Sequence, residues 1–167
     1  IMGGSGCGKS TVMRGLTGLK PPSAGKILYN GVDFYGSIEA RERVRRNIGV
    51  MFQSGALWSS MTLAENIALP LEQFTDLEHS HIRKIVSLKL SLVGLGGFEG
   101  YYPSQISGGM RKRVGVARAM AMDPEVLFFD EPSAGLDPVS ARLLDDLILQ
   151  LQDSLKTTMV VVTHELA

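Results

Sequence analysis

The sequence predicts an α/β fold built on a mostly parallel sheet. Three observations carry that expectation. Short, wholly apolar runs such as Val126-Leu127-Phe128-Phe129 recur, as strands buried on both faces require. Segments with apolar residues at helical spacing separate these runs. Strands that alternate with helices pair in parallel through crossover connections.

Taken in order, Gly3 to Ser10 reads as a loop, and Lys9 to about Leu19 as the helix after it, with Gly18 as its stop signal. Lys26 to Phe34 reads as two short strands joined at Asn30-Gly31, a dipeptide whose members both tolerate positive φ. This hairpin is a small antiparallel addition. Ile48 to Phe52 is a short apolar strand. Residues 62–70 and 78–93 read as helices, the second with Ile82, Ile85, Val86, Leu90 and Val93 in register. A further helix follows Gly108-Gly109 and runs to about Ala121. Val126 to Phe129 and Thr158 to Thr163 read as buried strands. Between them, residues 139–154 form an amphipathic helix with Val139, Leu143, Leu144, Leu147, Ile148 and Leu151 inward. The helix-rich stretch 62–106 looks like an insertion, part of a helical subdomain spanning about 62–122.

Composition narrows the functional class. The 167 residues carry 17 basic and 17 acidic side chains, 44% hydrophobic residues and one Cys. That apolar fraction supports a buried core and excludes a disordered chain. One Cys excludes an intramolecular disulfide framework and fits a reducing compartment. A formal net charge of zero argues against nucleic-acid binding by bulk positive charge. Within that neutrality, basic residues gather at 41–46 and 111–118, while Asp123, Glu125, Asp130, Glu131 and Asp137 are expected to crowd a metal-binding end. Arg41, Arg43, Arg45 and Arg46 read as a solvated helix face, with a membrane-proximal patch as the sharper alternative.

The stretch Gly3-Gly4-Ser5-Gly6-Cys7-Gly8-Lys9-Ser10-Thr11 satisfies G-x-x-x-x-G-K-[ST]. Its glycines let backbone N–H groups turn toward phosphate oxygens. The helix behind it adds a partial positive charge at its N-terminus. Lys9 supplies a point charge to the β- and γ-phosphates, and Ser10 offers a hydroxyl to Mg²⁺. Cys7 reads as a small residue in a tight turn, with a redox-sensitive thiol as the alternative.

Asp130 and Glu131 end the apolar run 126–129. In open α/β sheets, ligands lie beyond the C-terminal ends of the strands. Asp130 is thereby placed to hold Mg²⁺, and Glu131 to act as general base for an attacking water. Ile106-Ser107-Gly108-Gly109-Met110 opens a helix rich in Arg111, Lys112, Arg113 and Arg118. Ser-Gly-Gly by itself is often only a turn. At a helix start it is a second anion site by the physics of the first. One phosphate loop with two anion sites makes sense if two chains face each other and share nucleotides across a two-fold axis.

At this point the chain resembles the ATP-binding cassette (ABC) family. The resemblance covers essentially all 167 residues and rests on ordered motifs: the phosphate loop, Gln53 after an apolar strand, ISGGM at 106–110, LFFDE at 127–131 with SAGLD at 133–137, and His164 after the last strand. It implies a P-loop nucleoside triphosphatase of ABC type that binds ATP and Mg²⁺ and hydrolyses ATP. By position, Gln53 resembles the glutamine that touches Mg²⁺ and water and senses the membrane partner. Ser107 and Gly109 resemble the signature residues on the γ-phosphate in trans, with Gly108 between them. Asp137 resembles the aspartate bridging the two chains, and His164 the switch histidine. The signature departs from the usual pattern at Ile106 and Met110 but keeps Ser107, Gly108 and Gly109. Only Ile1 and Met2 precede the loop, so 1–167 reads as one nucleotide-binding domain truncated at both ends. The family's adenine-stacking aromatic and its terminal helix pair would lie outside it.

Within the family, Phe52 to Trp58, Met61 to Leu71 and Gly108 to Arg113 resemble the ATPases of Mce/Mla (toluene-tolerance, lipid-asymmetry) systems. That resemblance implies phospholipid or other hydrophobic cargo, an integral membrane permease, a second ATPase subunit and a periplasmic lipid-binding protein. It implies a peripheral position on the cytoplasmic face of the inner membrane. Leu57, Trp58 and Met61 are candidates to receive a permease helix, ordinary packing being the alternative. Competing readings are an importer ATPase for polar solutes such as amino acids, and a non-transport ABC ATPase acting on DNA or translation.

Overall fold

The structure is a computed structural model and describes residues 1–4 and 6–163. The first helix, α1 (Lys9–Leu16), follows the glycine loop directly. It is shorter than expected because Thr17 closes it, its hydroxyl and backbone N–H both donating to Met13 O. β1 (Leu28–Tyr29) and β2 (Val32–Asp33) form the expected antiparallel hairpin. Asn30 and Gly31 turn it at φ 49° and 79°, as a turn matched to the strand twist requires.

α2 (Ile38–Arg46) is the helix that carries the basic run Arg41, Arg43, Arg45 and Arg46. It buries only Val44, so it carries no apolar stripe to read. Its signal is polar: the Ser37 hydroxyl accepts from the Ala40 N–H, and three arginines fill the last turn. Arg43, Arg45 and Arg46 are exposed.

β3 (Ile48–Met51), β4 (Val126–Asp130) and β5 (Thr158–Val162) form a parallel sheet in the order β3-β4-β5. Met51 pairs with Phe129, and Asp130 with Val162, so all three strands end at one edge. Leu127, Phe128 and Phe129 at the centre are essentially inaccessible, each worth about 1.5–3 kcal/mol of burial. β5 is less buried than expected: only Val162 is fully covered. Its outer edge meets Met2 in a parallel bridge at Thr163.

α3 (Leu63–Phe74), α4 (His79–Leu92) and α5 (Gly108–Ala119) pack mutually around Leu63, Ile67, Leu71, Val86, Leu90 and Val114. α3 runs past Pro70, where the sequence suggested a stop. Leu71, one residue beyond, is 3% exposed. That burial holds the helix through the missing proline N–H. Thr75 then ends it, its hydroxyl and N–H both donating to Leu71 O.

α6 (Pro138–Leu155) buries Leu144, Ile148 and Leu151. Val139 and Leu143, expected inward, are 69% and 61% exposed. The core that α6 packs against, α5 included, covers a narrower stripe than the apolar pattern offers. Among the described residues, no helix is long and apolar enough to cross a membrane.

Candidate functional site

The glycine loop sits at the edge where the parallel strands end. The loop's first residues are joined to β5: Thr163 N–H donates to Ile1 O at 3.1 Å. Lys9 is buried, and its ammonium donates to Gly3 O at 2.6 Å and Gly4 O at 3.0 Å. The side chain therefore folds back across the loop. Gly6 and Gly8 take φ of 81° and 101°. Gly8 also stands at the N-cap of α1, which has no side-chain cap and no acid in its first turn. Helix N–H donors left this way are the groups an anion would satisfy. Ser10 and Cys7 are exposed. Ser5 lies outside the described residues.

Asp130 ends β4, and its carboxyl is raised above the usual range. Burial is the largest cause and the neighbouring Glu131 charge adds to it, while Arg14 and Lys9 oppose both. The loop lysine is thus near enough for its charge to act on Asp130. Glu131 follows at φ 46°, a left-handed backbone uncommon for a side-chain-bearing residue. Its N–H donates to Val162 O at 2.8 Å and thus extends the β4–β5 ladder by one bond. Gln53 Nε2 stands 3.5 Å from Glu131 Oε2. The structure thus brings together Lys9, Gln53 and the adjacent pair Asp130-Glu131 from three separate segments. His164 lies outside the described residues.

Ser107 caps α5, its hydroxyl accepting from the Met110 N–H at 3.2 Å. A hydroxyl that accepts still has its proton to donate. Positions where Cβ atoms would stand on Gly108 and Gly109 lie 3.7 Å from Leu136 and 3.5 Å from Ser140. The second glycine pair therefore adjoins the entry of α6. There Asp137 Oδ1 accepts from the Val139 and Ser140 N–H groups. Hydrogen bonds from the Ser140 side chain and then its backbone hold the Asp137 carboxyl below the usual range.

Two expected acids do not join the site. Asp123 and Glu125 precede β4 and stand at its opposite end. Asp123 pairs with buried Lys89, and Glu125 accepts from Asn30. Direction along the strand decides this: five residues of strand span about 16 Å. Two side chains that the sequence reads only as members of a basic helix hold the main chain of residues 53–56. Lys112 Nζ donates to Gln53 O, and Arg118 donates to Gly55 O and Ala56 O. A cation on an otherwise buried helix face was the signal available for both.

Among the described residues, no three His, Cys, Asp or Glu side chains cluster closely enough to hold a metal by themselves. The Ser10 hydroxyl, Gln53 amide and Asp130 carboxylate are oxygen donors, which suits a hard cation that shares its shell with nucleotide phosphates and water.

A phosphate loop on a helix N-terminus, with an acidic pair beyond the adjacent strands, defines a nucleoside-triphosphate-binding α/β domain. The ABC transporter family profile matches residues 1–134, and the chain belongs to that family. It is 46% identical over 166 residues to the "Probable ribonucleotide transport ATP-binding protein mkl" of Mycobacterium leprae, covering 98% of this chain and 48% of that protein. It is 42% identical over 167 residues to the intermembrane phospholipid transport system ATP-binding protein MlaF of Haemophilus influenzae, covering 99% and 63%. It is 45% identical over 167 residues to the methionine import ATP-binding protein MetN 1 of Rhodococcus jostii, covering 99% and 49%. The chain thus spans about half to two thirds of the length of these relatives. A dimeric ATP-binding cassette in a post-hydrolysis state, bound to ADP and Pi, superposes with a TM-score of 0.85 at 31% identity, covering 98% of this chain and 73% of that one.

Proposed function

We propose that the chain is the ATP-binding and ATP-hydrolysing part of an ABC transporter subunit. The observation that carries this reading is the convergence of Lys9, Gln53, Asp130 and Glu131 at one sheet edge. ATP would lay its phosphates along the Gly3–Thr11 loop, and Lys9 would exchange its carbonyl partners for phosphate oxygens. Glu131 would take the proton of the attacking water, with the Gln53 amide orienting it. Ser10, Gln53 and Asp130 would hold Mg²⁺, which when bound supplies charge neutralisation at the phosphates. His164 is assigned to the γ-phosphate by its place in the motif order.

Ser107, Gly108, Gly109 and Asp137 would act on the nucleotide of a second ATPase subunit. Their support is the shared position of the α5 and α6 entries and the dimeric form of the related cassette. Partners beyond that are an integral permease and a periplasmic lipid-binding protein, with this subunit peripheral on the cytoplasmic face of the inner membrane. Trp58, five positions after Gln53 and 58% exposed, is the best-presented apolar side chain of the three for a permease contact. Leu57 and Met61 are half-buried and contribute less.

Phospholipid or another hydrophobic cargo is the favoured transport substrate, supported by the motifs around Gln53 and by the phospholipid-system relative. Import of a polar solute such as an amino acid is the second reading, supported by the methionine-import relative. Two experiments test these assignments. Glu131→Gln in the full-length protein should keep ATP binding and lower kcat by about 10²–10⁴-fold; normal turnover would remove Glu131 from its role. Co-purification with the membrane partner, followed by extraction and mass analysis, should recover phospholipid; recovery of a polar solute instead would select the second reading.

A further inference from the structure

Lys112 is 7% exposed, on a helix whose other buried positions are Val, Ala and Gly. Burying an ammonium is costly unless it finds acceptors. Here both recorded acceptors are main-chain carbonyls of proposed catalytic positions. Lys112 Nζ donates to Gln53 O and, at 3.5 Å, to Glu131 O. Those two residues are 78 positions apart in sequence, and their side chains meet at 3.5 Å above the ammonium's partners.

The surroundings make the arrangement a fixed one. Glu131 holds a left-handed φ of 46°, a state that persists only where neighbours enforce it. Its carbonyl also accepts from the Ala134 N–H at 3.2 Å. Gln53 is the second residue of a turn closed by Gly55 N–H donating to Phe52 O at 2.7 Å. That turn rests on the face of α5 that carries Lys112. A Cβ on Gly115 would lie 3.2 Å from Gly55 Cα, so the two backbones nearly touch. One helical step further, Arg118 donates to Ala56 O at 2.6 Å and Gly55 O at 3.1 Å. Positions 112, 115 and 118 thus seat the whole turn. Of these three, Lys112 also donates to the main chain of Glu131, just past the end of β4.

We propose that Lys112 is a positioning residue that ties the backbones of Gln53 and Glu131 together from beneath and so fixes the amide and the carboxylate at their working separation. The inference rests on the assignment of Gln53 and Glu131 to ATP hydrolysis. An ammonium suits the task because its three donors can serve two carbonyls at once. Burial lowers the Lys112 pKa from its ordinary value, and the nearby Glu131 charge offsets part of that shift.

The test compares full-length wild type with Lys112→Met, which keeps the stem and removes the donors, and Lys112→Arg, which restores them. Two readouts are taken: ATP kinetics, and amide hydrogen exchange over residues 53–56. Lys112→Met should lower kcat by about tenfold or more while KM for ATP stays within about threefold, since a misplaced group costs rate more than binding. Exchange over 53–56 should quicken. Lys112→Arg should recover most of both. Unchanged kcat in a folded Lys112→Met overturns the proposal, as does lost kcat with unchanged exchange. If the wild type itself shows no turnover, the hydrolysis assignment has failed, and the exchange readout still decides whether Lys112 holds the turn. Should Lys112→Met not fold, Lys112→Gln keeps two N–H donors on a shorter, uncharged side chain and carries the same comparison with a smaller expected loss.

Discussion

Helices α1 and α3 begin in opposite ways. α3 closes its own first turn. The Thr62 hydroxyl accepts from the Glu65 N–H, and the Glu65 carboxylate accepts from the Thr62 N–H at 2.7 Å. α1 begins at Gly8, without a capping side chain, and its first turn reads Lys-Ser-Thr. One helix spends side chains on its orphan donors. The other leaves them facing a loop of glycines and a lysine. The difference teaches that a helix start is informative when it is left unfinished. Capping is inexpensive in sequence, so an uncapped N-terminus beside Lys9 points to an external anion as the missing partner.

The largest expected effect tests that partner directly. Lys9→Ala in the full-length protein should weaken ATP binding by about a hundredfold, the loss of charge-assisted bonds to phosphate. Equilibrium binding of a fluorescent ATP analogue reads this. Unchanged affinity would remove the contrast between the two helices, because Lys9 would then serve only Gly3 O and Gly4 O. Its stability cost is expected to be small beside the binding loss.

Next in size is Gly8→Ala. No atom lies within 4 Å of the added Cβ, so the penalty is conformational and not a clash. A φ of 101° is a state that L side chains rarely adopt, and forcing it costs about 1–3 kcal/mol. Thermal unfolding should show that loss without nucleotide, and ATP affinity should fall with it. A variant as stable as wild type would mean that the loop relaxes freely, and that the open start of α1 is not held in place.

These two residues were legible from sequence because their spacing is covalent. G-x-x-x-x-G-K-[ST] fixes the loop whatever the rest of the chain does. The strands 48–52 and 126–129 were legible because a sheet buried on both faces demands unbroken apolar runs. What was not legible depended on tertiary context. α2 buries one residue, so its basic run marks a helix face but no apolar period marks its ends. α3 continues past Pro70 because Leu71 is needed in the core. Val139 and Leu143 match the apolar stripe of α6 yet stand exposed, since pattern cannot report the width of the covering surface. Asp123 and Glu125 were grouped with the acidic pair by proximity in sequence, whereas β4 carries them to its other end. Lys112 and Arg118 looked like two more charges on a basic helix. Only the fold shows that one is buried and that both hold the Gln53 turn.

The closed helix start offers the smaller tests. Thr62→Ala removes the hydroxyl that accepts from the Glu65 N–H and should cost about 1 kcal/mol in chemical denaturation, with ATP affinity unchanged. An effect on binding of the Lys9→Ala size would contradict the division between a structural and a ligand-facing helix start.

The smallest effect is a pH dependence at the same cap. The Thr62 backbone N–H, and after it the Thr62 hydroxyl, hold the Glu65 carboxyl below its ordinary value of 4.5. A carboxyl depressed in the folded state stabilises the fold when ionised. That contribution is complete above the unfolded-state value and is lost as pH falls through the folded-state value. Glu65 is exposed, so solvent screens the effect and the shift in unfolding midpoint should be slight. Comparing wild type with Glu65→Ala from pH 7 downward, the wild-type advantage should hold to about pH 4.5 and shrink below it. Ionic strength should change it little, because hydrogen bonds and not distant charges create the shift. An advantage that instead grew on acidification would reverse the sign assigned to Glu65. It would leave the Thr62 hydroxyl as the sole cap, and α3 would then differ from α1 by one hydrogen bond rather than by a reciprocal pair.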